Sequence, residues 1–160
     1  MDRKAVYIET TIPSYITSEL NGNIIILGHQ KLIIAWWRDY RLDFKLFSSQ
    51  VVIDEIKKGD EAQAQKRLEL MNEVKILDFS REVEELGMSY FTFFRLPERA
   101  LFDAFRLAVA VFYEMDFLLT WNCKHLANAN TRIRLMEYNN KAGLKIPDLC
   151  TPEELFPEEE

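Results

Sequence analysis

The chain has 160 residues, a formal net charge of −6 from 20 Lys and Arg against 26 Asp and Glu, and 48% hydrophobic residues. That length suits one domain with a substantial core, and the hydrophobic share, with only 5 Gly and 5 Pro, excludes a disordered, collagen-like or repeat architecture. No apolar run reaches membrane-spanning length, MDRKAVYIET has no long apolar region behind its charges, and Cys123 and Cys150 form no CxxC pair, so a cytoplasmic protein with free thiols is expected.

The chain opens on AVYIETTIPSYI, Ala5 to Ile16, which reads as a short buried strand ending in Glu9, two threonines, a proline and a serine. Residues just past the carboxyl end of such a strand are where open α/β sheets bind ligands, which makes Glu9 the first candidate for chemistry. Taken alone, Glu9 is better read as a strand-end carboxylate that merely caps the next helix, a task Thr10, Thr11 or Ser14 could do equally well. Helical spacing of Ile26, Leu27, Ile33, Ile34, Trp37 and Tyr40 predicts a helix from about Ile24 to Arg41. Its Trp36 and Trp37 suit a core or a dimer contact, and its lone His29 suits a structural or exposed role. DFKLFSSQ is a short strand, and Ser49 is the expected cap of a helix that ends near Gly59 and carries Glu55 at the rim of its buried face. Asp60 could cap the amphipathic EAQAQKRLELMNE.

VKILDF is the third strand, and Ser80, with Glu82 and Glu84 in the first turn, starts another helix. Val83 stands where a full capping box has Glu or Gln. After Pro97, LPERALFDAFRLAVAVFYEM is apolar almost all round, through Leu101, Phe102, Phe105, Leu107, Ala108, Val111 and Phe112, so it must be packed on most sides. Asp103 within it needs a reason. DFLLT, Asp116 to Thr120, is the fourth strand, followed by WNCKHLAN, a polar helix stopped by Gly143, a fifth strand LKIPDLC and a capped turn TPEEL within an acidic tail, 151–160. Strands alternating with helices predict a single α/β domain over 1–160, three-layered α/β/α, with a central parallel sheet of about five strands flanked by helices.

If strands one and four are adjacent, Glu9, with Thr11 and Ser14 behind it, lies beside Thr120 and Asn122 at one sheet edge. Glu55 and Asp103 lie on helices that can reach the same crevice. Carboxylates, an amide oxygen and hydroxyls are hard donors, the set suited to Mg²⁺ or Mn²⁺, whereas the isolated His29 and His125 give no zinc spacing. The acidic net charge offers no general attraction to nucleic acid, so a nucleic-acid substrate would need bound cations, a local basic rim, or both. Lys57, Lys58, Arg95, Arg99, Arg106 and Lys124 are near enough to supply one, though each taken singly is an ordinary solvated charge.

VYIETTIPSYI, VVIDEI, ALFDAFRLAVA and DFLLTWNCKHLAN, in that order, resemble the four motifs of PIN domains, and within them the VapC-like toxins of bacterial toxin–antitoxin systems. The resemblance spans nearly the whole chain, up to CTPEEL. It implies a Mg²⁺- or Mn²⁺-dependent ribonuclease acting on single-stranded RNA, with Glu9, Glu55 and Asp103 as metal ligands and Asn122 at the fourth, usually acidic, position. It further implies supporting roles for Thr11, Ser14 and Thr120, a homodimer and a cognate antitoxin. Asp103 is the expected group for orienting or deprotonating water. Asp116, at the other end of strand four, is not expected to replace the missing carboxylate at Asn122. Arg106 stands where this branch often has His, free to pair with a site carboxylate or to contact phosphate. Trp121 offers a ring for base stacking or a hydrophobic wall, and Lys124 a contact to substrate. The Asp-to-Glu change at Glu9 and the Asp-to-Asn change at Asn122 leave a second function open, an RNA-binding or protein-interaction module with weakened catalysis.

Overall fold

Ala5–Ile8 forms the central strand, β1, and its Val6, Tyr7 and Ile8 have no exposed surface. The computed structural model describes residues 2–158. In chain order the elements are β1, α1 (Thr11–Thr17), α2 (Ile24–Asp39), β2 (Lys45–Ser49), α3 (Gln50–Ile56), α4 (Glu61–Leu70), β3 (Lys75–Leu77), α5 (Arg81–Phe93), α6 (Leu101–Phe112), β4 (Phe117–Leu119), α7 (Ala129–Ala142) and β5 (Asp148–Cys150). All strand pairings are parallel, in the order β3-β2-β1-β4-β5, with Tyr7 opposite Phe47 on one side and Leu118 on the other. A parallel sheet needs crossovers, and the helices supply them while covering the faces, giving the three-layer α/β/α architecture expected from the alternating pattern.

The strand order fixes where a site can form. From β1 the chain winds outward to β2 and β3, then returns to the other side of β1 for β4 and β5. The direction of winding thus reverses between β1 and β4, and such a switch point leaves a crevice at the carboxyl ends of the two strands. Glu9 and Thr120 are the residues that step out there.

The unbroken apolar run of α6 is explained by its place: every residue from Asp103 to Val111 is buried. Its flanks depart from the expectation, because Phe102 is 51% and Phe112 44% exposed. The helix also begins later than its apolar run suggests, after a 3₁₀ turn at Glu98–Ala100. α2 ends at Asp39, since Arg41–Asp43 tightens into a 3₁₀ turn. Trp36 and Trp37 belong to the core rather than to a dimer contact: Trp36 is fully buried and donates its indole N–H to the Leu155 carbonyl at 3.2 Å. That bond also ties the first part of the acidic tail, through Leu155, to the core. Thr151 and Glu154 form a capping box, Pro152 and Leu155 are buried, and Phe156 packs edge-on against Tyr40 at 5.3 Å. The last two residues lie outside the described ones.

Ser80 and Asp60 cap α5 and α4 as expected, and Gly143 ends α7 in the left-handed region at φ 68°. Ser49 stands at the start of α3 without capping it, because its hydroxyl is engaged with Tyr7 at 2.7 Å. Cys123 is exposed and Cys150 buried, both free. Among the described residues, no helix is long and apolar enough to cross a membrane.

α5 and α6 pack closely because Gly87 has no side chain. A Cβ at Gly87 would come within 2.5 Å of the Phe105 ring and 3.3 Å of its Cα. Gly87→Ala is therefore expected to force these helices apart and destabilise the domain by about 1–3 kcal/mol, read as a lowered urea midpoint with an unchanged m-value.

Candidate active site

Glu9 is 2% exposed, and a carboxylate so deeply buried requires partners. Its Oε2 accepts three hydrogen bonds, from the Thr11 backbone N–H at 3.0 Å, the Thr11 hydroxyl at 2.6 Å and the Thr120 hydroxyl at 2.7 Å. One oxygen thus ties the end of β1 to the start of α1 and the end of β4. Thr11 Oγ1 accepts in turn from Trp121 N–H at 2.8 Å, and Thr120 Oγ1 from Asn122 N–H at 2.9 Å. The two readings of Glu9 are therefore compatible: Oε2 caps the first turn of α1, and Oε1 is left facing Arg106 at 4.0 Å. Thr10 does not share the capping, and its buried hydroxyl has no partner.

A cleft of about 490 Å³ opens here, lined by Glu9, Thr11, Glu55, Asp103, Trp121 and Asn122 among others. Glu55, on the seven-residue α3, has a side chain 41% exposed, whereas Asp103, in the first turn of α6, is 6% exposed. Arg106 joins all three carboxylates. It donates to Asp103 Oδ1 at 2.8 Å, pairs with Glu55, and holds its Nε near Glu9 Oε1. Of the two alternatives for Arg106, pairing with the carboxylates is therefore the arrangement observed.

Three carboxylates around one guanidinium remain under-neutralised. Burial, reinforced by the nearby charge of Glu9, pushes Asp103 up to about 7, with the Asn122 side chain favouring its ionised form through a hydrogen bond. The ion pair with Arg106 works in the same direction as Asn122. Asn122 is otherwise a turn residue: its Oδ1 accepts from the N–H groups of Lys124 at 3.2 Å and His125 at 3.0 Å. An Asp at this position would add a fourth negative charge to a cluster already short of positive charge.

The remaining expected residues divide clearly. Lys58 and Arg99 line the cleft, with Lys58 Nζ 5.6 Å above the exposed Phe102 ring, while Lys57, Arg95, Lys124 and Ser14 do not line it. Trp121 does, but it is 6% exposed and stacked on His29 with ring centroids 4.0 Å apart, so its ring forms a wall. His29 thereby gains a role that its isolation in the sequence did not suggest. Tyr15 and Phe102 also line the cleft. Tyr15 was detectable as the residue one helical turn beyond Thr11, but Phe102 was hidden within an apolar run. Asp116 lies at the opposite end of the strands, accepting from Ala5 N–H and Lys145 Nζ, both at 2.8 Å.

No protein-family model matches this chain, and no curated protein matches it. Solved structures do. VapC20 of Mycobacterium tuberculosis, described as a sarcin–ricin loop cleaving toxin, is 15% identical, with a TM-score of 0.53 over 71% of this chain and 86% of its own. The chain has the fold of a VapC toxin. A toxin–antitoxin complex from Klebsiella pneumoniae aligns at 19% identity and TM-score 0.53, over 74% of this chain and 88% of its own. VapBC2 from Rickettsia felis, bound to a promoter DNA fragment, aligns at 17% identity and TM-score 0.51, over 79% and 94%. The VapC-like fold is the expected PIN-like one, and all three alignments span most of the neighbour's length.

The raised pKa of Asp103 has a measurable signature. With the native value above the unfolded one of roughly 3.8, the native state keeps a proton that the unfolded chain releases, so this group costs stability as pH rises from about 4 to 7. Asp103→Asn removes that cost. The variant is expected to match the parent below about pH 4 and to exceed it at about pH 8 by something on the order of 2 kcal/mol, less than the full shift because Arg106 stabilises the charged form. Thermal melts across that range check it, and equal differences at both ends would refute it.

Proposed function

We propose that this chain is a divalent-metal-dependent endoribonuclease that cleaves single-stranded RNA, and that it is the toxin of a type II toxin–antitoxin pair. The observation that carries the reading is the convergence of Glu9, Glu55 and Asp103 at the switch point of a VapC-like sheet. VapC20 is named for cleaving an RNA loop, and the Klebsiella and Rickettsia proteins were solved as toxin–antitoxin assemblies. Both facts support an antitoxin partner and an RNA substrate for this chain.

The donors suit a hard ion. The three carboxylates already surround a positive group, and Glu9 Oε1 accepts no hydrogen bond from the described residues. Glu9, Glu55 and Asp103 would hold Mg²⁺ or Mn²⁺, while Thr11, Thr120 and Asn122 fix the strand ends that carry them. Bound there, the ion supplies positive charge to the phosphoryl oxygens and makes water more acidic.

The chain's own groups do the rest. Asp103 is the carboxylate we assign to orient the attacking water and accept its proton. Lys58, Arg99 and Arg106 counter the net acidity along the cleft, where a phosphate backbone must lie. Trp121, Tyr15 and Phe102 give that path apolar walls, and Lys124 lies on the loop beyond it. The reading takes the cytoplasm as the place where this chain acts. A homodimer would use a face other than buried Trp36 and Trp37.

The test is cleavage of an unstructured RNA pool with Mn²⁺ or Mg²⁺ and after chelation. The expected outcome is metal-dependent cleavage that falls roughly 100-fold or more in Glu9→Gln and in Asp103→Asn. Cleavage surviving chelation, or equal in all three proteins, would overturn the assignment.

A further inference from the structure

Carboxylates brought together for a metal repel one another until the metal arrives. In this molecule the relief comes from within the chain. Arg106, with a side chain 5% exposed, places one terminal nitrogen 2.8 Å from Asp103, pairs the other with Glu55, and holds its Nε 4.0 Å from Glu9. That Nε is buried without a hydrogen-bond partner. Among the described residues, no three His, Cys, Asp or Glu side chains are grouped closely enough to hold an ion as they stand. The carboxylates converge on the guanidinium instead.

A planar guanidinium and a divalent ion cannot share this seat. Mg²⁺ requires oxygens at about 2.0–2.1 Å in near-octahedral array, whereas a guanidinium keeps its carboxylates at hydrogen-bond distance in its own plane. We propose that Arg106 is an internal occupant of the cation seat, and that a divalent ion enters only by displacing its guanidinium. The inference rests on reading these carboxylates as the metal site, and goes beyond it by assigning Arg106 a competing role.

The three contacts differ in how easily they yield. Glu9 is held by three donors and Asp103 is fixed in the buried first turn of α6. Glu55 is the exposed partner, and water can replace its pairing with little loss. The Nε contact to Glu9 is already long. Displacement therefore begins at Glu55, and the freed guanidinium has the cleft to enter, beside Lys58 and Arg99. There it joins the cations that face a phosphate. Loading the metal and arming the phosphate contact become one event.

The test measures Mn²⁺ binding by calorimetry and electron paramagnetic resonance, using the full chain as wild type, Arg106→Gln and Arg106→Lys. Arg106→Gln is expected to bind Mn²⁺ roughly tenfold tighter than wild type, with Arg106→Lys between them because an ammonium still competes. In the wild type with nitrogen-labelled arginine, the Arg106 Nε–H resonance is expected to shift in step with Mg²⁺ saturation. Equal or weaker binding by Arg106→Gln, or an Arg106 resonance indifferent to bound Mg²⁺, overturns the proposal and leaves the metal reading standing. Absence of Mn²⁺ binding by all three proteins at millimolar concentration removes the metal reading itself. Should Arg106→Gln fail to fold, the lysine variant and the wild-type resonance decide.

Discussion

The site depends on one oxygen atom. Glu9 Oε2 receives two hydrogen bonds from Thr11 and one from Thr120, and so fastens together the end of β1, the first turn of α1 and the end of β4. A parallel sheet supplies a crevice at its switch point but does not determine how the chain leaves each strand there. This clasp does. Because charge-assisted hydrogen bonds are short and strong, and a buried carboxylate without them is costly, Glu9 is held in one arrangement. Its second oxygen then points where Asp103 and Arg106 can meet it. The extra methylene of Glu relative to Asp is accommodated by this division of labour, with one oxygen serving the fold and the other the cleft.

Around that fixed point, charge is left deliberately unbalanced. Three carboxylates face one guanidinium at the floor of the cleft, and the cost appears in the buried Asp103, pushed up to about 7 by burial and by Glu9. Adding an Asp at position 122 would deepen the deficit; Asn122 instead contributes a hydrogen bond that favours the Asp103 carboxylate. The amide of Asn122 and the guanidinium of Arg106 thus act in the same sense. Both make the cluster tolerable before any external cation is present. Holding like charges this close costs stability.

The sheet, its parallel sense and most helices were legible in the sequence because apolar periodicity and capping residues are local signals. That Glu9, Glu55, Asp103 and Asn122 would line one cleft was legible too, since each follows a strand or sits on a helix beside one. What the sequence withheld was long-range. Nothing local says that Ser49 spends its hydroxyl on Tyr7, or that His29 will stack on Trp121, because the partners are 42 and 92 positions apart. Phe102 and Leu155 failed for a related reason. An apolar run conceals which of its members faces outward, and an acidic ending conceals a buried leucine. Arg106 was legible only in part: its pairing with Asp103 is local to α6, whereas Glu55 and Glu9 reach it from α3 and from the end of β1.

The stacking of His29 on Trp121 has an optical consequence. The chain has 3 tryptophans, and Trp36 and Trp37 are enclosed in the core beside Phe44 and the C-terminal turn. Trp121 alone borders the cleft, with an imidazole parallel to its ring and its indole N–H unpartnered. Its emission therefore responds to whatever occupies the cleft, against a steady background from the other two. The molecule carries a native fluorophore at its own site, one that needs no label and can be isolated by subtracting the spectrum of a Trp121→Phe variant.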